Sequence, residues 1–352
     1  MFSNHHLYLE DVRKIASLPL QWEKLAGRKL LLTGASGLLG TLLVDVLMYR
    51  NQQAQMNLII YAVGRNEEKA RSRFGDYWGD DRFRFLAMDV NQGINVQIET
   101  DFIIHAASNT HPKLYAQDPT GSLLTNLQGT ANLLDFGYRC HCERVVFVSS
   151  VEIYGQALQA DDVFDERYCG YIDCNTIRAA YPEGKRAGEA LCQAYRSQYG
   201  LDIVIPRLSR VYGPTMRLDD SKAMSQFIKN GLRHEDIVLK SKGEQLFSYC
   251  YVADAVAGLL FVLLKGQDGE AYNVAEDADK SLRLREIVEI IADYAGTQVS
   301  FALPDEVEAA GFSKVSVGVM DNSKLKNLGW KMTNDLQYGL VRTLKIMGEA
   351  GL

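Results

Sequence analysis

The sequence predicts an α/β fold: a doubly wound parallel sheet followed by a smaller mixed α/β lobe toward the C-terminus. Three observations predict it. From residue 29 to about 150, short apolar runs alternate with stretches of helical periodicity, as strands buried on both faces and their crossover helices do. A glycine-rich turn separates the first apolar run from the first of those helices. Beyond Tyr212-Gly213-Pro214 the alternation gives way to a mixed pattern, with Pro304 and a loop-rich stretch at 304–322.

Residues 8–28 carry Leu9, Val12, Ile15, Leu18 and Leu20, then Trp22 and Leu25, and read as a helix and connector, an N-terminal helical extension over 1–28. Lys29–Leu32 is the first strand. It runs into Gly34-Ala35-Ser36-Gly37-Leu38-Leu39-Gly40, and Thr41–Leu47 then has helical periodicity. Glycines at this spacing allow a tight turn and let backbone N–H groups approach a pyrophosphate at a helix N-terminus. The strand–turn–helix context makes this a Rossmann-like dinucleotide fingerprint. Leu58–Val63, Phe83–Met88, Phe102–His105 and Arg144–Val148 read as the next four strands, and a helix is expected through Thr125–Leu134. A helix follows over Tyr181–Tyr199, and Ile203–Arg207 is a sixth strand. The expected division is a dinucleotide-binding domain over 29–206 and, over 207–352, a smaller lobe with some segments returning to the first domain. Ligands of such sheets bind beyond the strand C-termini.

The 352 residues are 47% hydrophobic and 23% charged, ordinary for a globular protein. A net charge of −6 offers no general attraction to nucleic acid or to an anionic membrane. An anionic ligand must therefore be held by local groups. No apolar run reaches the length of a membrane span, and the first residues lack a basic-then-apolar signal pattern, so a cytoplasmic protein is expected. The six cysteines read as reduced thiols. Cys140-His141-Cys142 lacks a second matching pair, and no metal is expected.

The chemistry lies in two segments. Ser149-Ser150-Val151-Glu152-Ile153-Tyr154-Gly155 leaves the fifth strand, and Tyr181-Pro182-Glu183-Gly184-Lys185 opens a helix. Tyr181 and Lys185, four apart, share a helix face. The ammonium is expected to lower the phenol pKa by proximity, because a phenol near 10 is no base at neutral pH. A hydroxyl, a carboxylate and a Tyr-xxx-Lys behind a dinucleotide fingerprint point to redox catalysis.

With those residues go Asp89-Val90, His105-Ala106-Ala107, Asn126, Arg207, Tyr212-Gly213-Pro214, Tyr251-Val252-Ala253-Asp254 and Leu328-Gly329-Trp330. Together they resemble the extended short-chain dehydrogenase/reductase family, in its nucleotide-sugar epimerase/dehydratase/decarboxylase group. The stretch Tyr168–Arg186 is similar, without a gap, to the UDP-glucuronate decarboxylase branch. That branch has a non-acidic residue and then Glu after the serine, as in Ser150-Val151-Glu152. The 4,6-dehydratases carry an Asp where this chain has Val151, and valine cannot protonate a departing hydroxyl.

The resemblance implies roles. Tyr181 takes the proton of the sugar 4-hydroxyl, Lys185 holds the phenolate accessible and binds the nicotinamide ribose, Ser150 hydrogen-bonds the C4 oxygen, and Glu152 handles protonation at C5 or orients a water. The cofactor is NAD, with NADP tolerated by Arg65. Its site is Gly34, Ser36, Gly37, Leu38, Gly40, Arg65, Asp89, Val90, Ala106 and Ala107, with Tyr181 and Lys185. Ser108, Thr110 and Asn126 are expected at the substrate. The family's diphosphate-binding arginine is replaced by Phe247, while Arg210 stands where the decarboxylases have Asn, so Arg210 or Arg217 is expected to supply the anion contact. A homodimer through two helices of the Rossmann half is implied. The best reading is UDP-glucuronate decarboxylation, to UDP-xylose or the UDP-4-keto-pentose. The alternatives are a 4-epimerase, an atypical 4,6-dehydratase, and a catalytically silent nucleotide-binding regulator.

Overall fold

The computed structural model describes residues 2–108, 117–217, 219–302 and 315–351. The main sheet contains β1 (Lys29–Thr33), β2 (Ile59–Gly64), β3 (Phe83–Ala87), β4 (Phe102–His105), β5 (Arg144–Phe147), β6 (Ile203–Leu208) and β7 (Ala271–Val274). All pair in parallel, in the order 3-2-1-4-5-6-7, and Ser149–Ser150 adds a short strand against β6. The order reverses between β1 and β4. A crevice opens there beyond the strand C-termini.

Helices cover both faces, which explains why the strands read as unbroken apolar runs. On one face lie α1 (His6–Ala16), α2 (Leu38–Ala54) and α5 (Val252–Lys265); on the other lie α3 (Thr130–Arg139) and α4 (Ala180–Tyr199). Thirteen residues of α5, Val252 to Leu264, are buried, so it is apolar nearly all round and packs between layers. The helix expected through 125–134 is interrupted. Thr125–Gly129 is a π turn feeding α3. Asn126 Nδ2 donates to the Ser122 carbonyl at 3.0 Å, and Thr130 Oγ1 donates to the Asn126 carbonyl at 2.6 Å. These side chains compete with the regular ladder.

The C-terminal part is mixed α/β. Ile237–Leu239 pairs with Val299–Phe301, and Arg210–Tyr212 with Tyr249–Tyr251. Leu246–Phe247 lies between Leu282–Arg283 and Val317–Met320, and the last of these also pairs with Val163–Phe164. Strand β7 comes from this part of the chain yet completes the main sheet. Asp254 accepts from the Thr333 and Asn334 backbone N–H groups, and Trp330 Nε1 donates to the Asp254 carbonyl at 3.1 Å, which joins α5 to the segment after Gly329.

Helix α1 is tied to this lobe. Asp11 Oδ2 accepts from the Tyr251 hydroxyl at 2.7 Å and from Arg342 Nε at 3.1 Å. Arg342 lies on α6 (Leu336–Glu349) and also donates to the Leu7 carbonyl at 2.6 Å. The Asp11 and Arg342 side chains are each only 3% exposed. Breaking a buried, hydrogen-bonded pair by removing one partner typically costs about 3–5 kcal/mol, whereas replacing both with apolar residues costs far less. Asp11→Ala is therefore expected to lower the urea-unfolding free energy by about 3–5 kcal/mol, and the double variant D11L/R342M to regain most of that. A single-variant loss below about 1 kcal/mol would mean that the clamp contributes little.

Candidate active site

A cavity of about 960 Å³ runs from the glycine-rich turn, past the ends of β4, β5 and β6, to the strands of the C-terminal lobe. Its first wall is the turn between β1 and α2. Gly34 has φ +71°, and a Cβ there would meet the Ala106 carbonyl carbon and oxygen and the Ala107 nitrogen at 2.9 Å. A Cβ at Gly40 would lie 2.4 Å from the Gly34 oxygen. Only glycine fits either place. The N-cap of α2 is Gly37, with no side chain capping the helix, so the first N–H groups of a 17-residue helix face the cavity beside Leu38. Such a terminus favours an anion. Ser36, Arg65, Asp89, Val90, Ala106, Ala107 and Ser108 continue this wall. Asp89 caps the turn after it, accepting from the Asn91 N–H at 3.0 Å, and Arg65 stands exposed at the rim. A glycine cradle, an open helix terminus and a cavity of this size fit a dinucleotide.

The second wall carries the acid/base groups. Ser150 pairs in register with Leu208 of β6, and its Oγ accepts from the Glu152 N–H at 3.3 Å, capping the tight turn Val151–Tyr154. That cap brings Glu152 to the cavity beside Ser150. The hydroxyl of Tyr181, buried on the first turn of α4, shares a hydrogen bond with Ser150. One turn further on, Lys185 Nζ donates to the Val148 carbonyl at 2.8 Å and stands 4.8 Å from the centre of the Phe147 ring. Burial pulls the Lys185 pKa down to about 8.

The Tyr181 shift runs opposite to the sequence expectation. Burial raises the phenol well above its ordinary value and the Glu152 charge adds to this, while the Ser150 hydrogen bond opposes both. Desolvation of the phenolate is the largest influence. The Tyr181 hydroxyl is thus held in its neutral form.

The remaining expected residues divide. Ser108 lines the cavity and donates to Asn126 Oδ1 at 2.9 Å; Asn126 is fully buried and acts through Ser108. Thr110 lies outside the described residues. Arg217 pairs with Asp219, with Nε to Oδ1 at 2.8 Å. Arg210 lies with its guanidinium carbon 3.5 Å from the centre of the Phe247 ring.

Three contributors are not among the expected site residues, although Arg178 and Arg186 lie within the Tyr168–Arg186 stretch. Arg178 lines the cavity three residues before Tyr181, and among the described residues its guanidinium has no carboxylate partner. Arg186 Nε donates to the Ile153 carbonyl at 2.6 Å and its Nη2 to the Gly170 carbonyl at 2.7 Å, fastening the Glu152 turn to the loop before α4. Glu189 pairs with Arg207, and its four-residue spacing from Lys185 was the available clue. One cluster with metal-ligand types, His5, His6 and Glu349, occurs among the described residues. His5 Nδ1 accepts from the Leu7 N–H, so its proton sits on Nε2, which faces Glu349 at 2.9 Å; the ring is satisfied without a metal. No helix among the described residues is long and apolar enough to cross a membrane.

UDP-glucuronic acid decarboxylase 3 of Arabidopsis thaliana is 30% identical over 313 residues, 89% of this chain and 86% of that protein. UDP-glucuronic acid decarboxylase 1 of Xenopus tropicalis is 30% identical over 90% of this chain and 71% of that protein. The crystal structure of UDP-glucuronic acid 4-epimerase from Bacillus cereus, in complex with UDP-glucuronic acid and NAD, shares the fold with a TM-score of 0.77. It covers 92% of this chain and 99% of that one at 20% identity. Residues 30–275 match the NAD dependent epimerase/dehydratase family, and with the glycine cradle and the Ser150–Tyr181–Lys185 wall facing one cavity, the chain belongs to that family.

Proposed function

We propose that this protein is an NAD-dependent decarboxylase of a uronic-acid nucleotide sugar, with UDP-glucuronate as its substrate. The observation that carries the reading is the pair of uncompensated guanidiniums in one cavity, Arg178 beside Tyr181 and Arg210 in the far lobe. A uronate nucleotide has two anionic ends, a carboxylate and a diphosphate. Val151 supplies no proton for a dehydratase, and the 30% identity to UDP-glucuronic acid decarboxylases supports the same choice.

In this reading Gly34, Gly37 and Gly40 admit the cofactor's diphosphate at the α2 terminus. Arg65 and Asp89 flank its adenosine end, with Val90, Ala106 and Ala107 along the wall. Oxidised nicotinamide held there would supply the acceptor for the hydride of the sugar C4 and, once reduced, its donor. Tyr181 takes the 4-hydroxyl proton, and Ser150 passes a hydrogen bond between that oxygen and the phenol. Lys185, held on Val148, supplies positive charge that favours the phenolate. The 4-ketone makes the uronate a β-keto acid. The C5–C6 bond then breaks, its electron pair enters the C4 carbonyl as an enolate, and C6 leaves as CO2. Arg178 orients the carboxylate before that step, and Glu152 delivers the proton to C5. Ser108, set by Asn126, contacts the sugar.

Mass spectrometry of the protein incubated with NAD and UDP-glucuronate tests the reading, beside UDP-glucose and dTDP-glucose. Loss of CO2 from the uronate alone is expected, falling by roughly 10²–10⁴-fold in Tyr181→Phe. Loss of water from a glucose nucleotide would instead mean dehydration without the usual Asp. Arg178→Ala is expected to leave oxidation at C4 measurable while CO2 release falls at least about tenfold, since a charge-assisted bond to the carboxylate is removed. Equal loss of both steps would remove the carboxylate role.

Lys185 gives a prediction with a sign. Its folded value, about 8, lies below its ordinary 10.5. Between these pH values the unfolded chain holds a proton that the folded chain has released. Stability from this group therefore rises with pH through that window, by about 3 kcal/mol in all, and the full penalty remains below it. Comparing wild type with Lys185→Met in denaturant from pH 7.5 to 10.5 checks this: the variant's stability advantage should shrink as pH rises. An advantage that is constant with pH would contradict it.

A further inference from the structure

We infer that Arg210, stacked on Phe247, is the group that binds the diphosphate of the nucleotide sugar, and that the two side chains act as one unit. The inference rests on the nucleotide-sugar reading above.

The stack is built by four strands. Arg210 pairs in register with Tyr249, two residues past Phe247, and Phe247 pairs with Gly318. Phe247 is 93% buried, so its ring is a fixed plate. The guanidinium carbon lies 3.5 Å from the ring centre, within the range of a cation over an aromatic face. A Cβ at Gly318 would meet the Phe247 ring at 2.9 Å and Arg210 Nη1 at 3.5 Å, so the missing side chain leaves room for the stack.

The stack leaves the N–H groups of Arg210 unspent. Aromatic contact occupies one face of the guanidinium plane and none of its five in-plane donors. Among the described residues no carboxylate pairs with Arg210. The neighbouring cations differ: Arg217 pairs with Asp219, Lys222 with Asp220 at 3.1 Å, and Lys185 bonds Val148. Arg210 is thus a cation in the cavity wall with its plane set and its donors open, the arrangement that grips a phosphate bidentately.

Its position fits the diphosphate rather than the sugar carboxylate. Leu208 is paired with Ser150, and Arg210 follows two residues along the same extended chain, about 7 Å of backbone rise. In a pyranose C4 and C1 are opposite corners. With the 4-oxygen at Ser150 and Tyr181, C1 and its diphosphate point away from the catalytic wall by one ring, toward the side where Arg210 reaches.

The test transfers the charge between the two positions. Binding of UDP is measured by calorimetry on wild type, R210Q, F247L and the double variant R210Q/F247R, with unfolding midpoints recorded for each. R210Q is expected to weaken UDP roughly ten- to a hundredfold with its midpoint retained. F247L keeps the charge but loses the plate, and should weaken UDP by a smaller factor. R210Q/F247R restores a guanidinium from the other strand and should regain most of the affinity. UDP binding as tight in R210Q as in wild type overturns the inference, as does wild type that binds none of UDP, dTDP, CDP, GDP or ADP. The measurement involves no turnover. Failure of the decarboxylase reading would appear separately, as tight UDP binding in a protein that releases no CO2 from UDP-glucuronate.

Discussion

The site depends on one buried ion pair. Arg207, on β6, gives its Nε and Nη2 to the two oxygens of Glu189 at 3.0 and 2.6 Å, and its Nη1 to the Tyr154 hydroxyl at 3.1 Å and the Glu166 carbonyl at 2.6 Å. Glu189 continues the four-residue series of Tyr181 and Lys185 along one face of α4, so the pair fastens that helix to the sheet. Tyr154 closes the turn that carries Glu152, and its hydroxyl passes to Asn273 Oδ1 on β7 at 2.6 Å. Ser149 is paired with Arg207 itself. One guanidinium therefore sets the distance between helix, turn and strand. It tolerates burial because two oxygens and two further acceptors satisfy it.

Charge is managed in two ways around the cavity. Structural cations are saturated: Arg207 by Glu189, Arg342 by Asp11, and Arg144 by Asp202 at 2.7 and 2.9 Å. Arg178 and Arg210 have no such partners among the described residues, yet both line the cavity. A chain of net charge −6 attracts anions only through local cations, and in a cavity that also carries Asp89, Glu152 and Asp220 those two guanidiniums are placed to do so.

Much of this was legible in the sequence, for definable reasons. Strands buried on both faces must be apolar throughout, so β1 to β6 stood out as runs. The Gly34 and Gly40 positions exclude any Cβ, so their spacing marks the turn. Tyr181 and Lys185 meet because helical geometry is local. The sign of the Tyr181 shift was not legible, because desolvation depends on depth and depth comes from the whole fold. The stacking of Arg210 on Phe247 was hidden for a related reason. The two positions are 37 apart in sequence, and their contact exists only because β-pairing places Arg210 beside Tyr249. The π turn at Thr125–Gly129 escaped because its cause is side-chain competition rather than periodicity.

The contact between Lys185 and the Val148 carbonyl has a chemical consequence of its own. An amine whose pKa is about 8 is roughly one-tenth free base at pH 7, and a free amine is a nucleophile. A ketone generated in the same cavity would be a partner for condensation to an imine, which would consume the enzyme. The carbonyl of Val148 accepts a hydrogen from Lys185 and interacts more strongly with the ammonium than with the amine. The main chain just past the fifth strand thereby holds the Lys185 nitrogen by one of its hydrogens, which fixes where that amine can point inside the cavity.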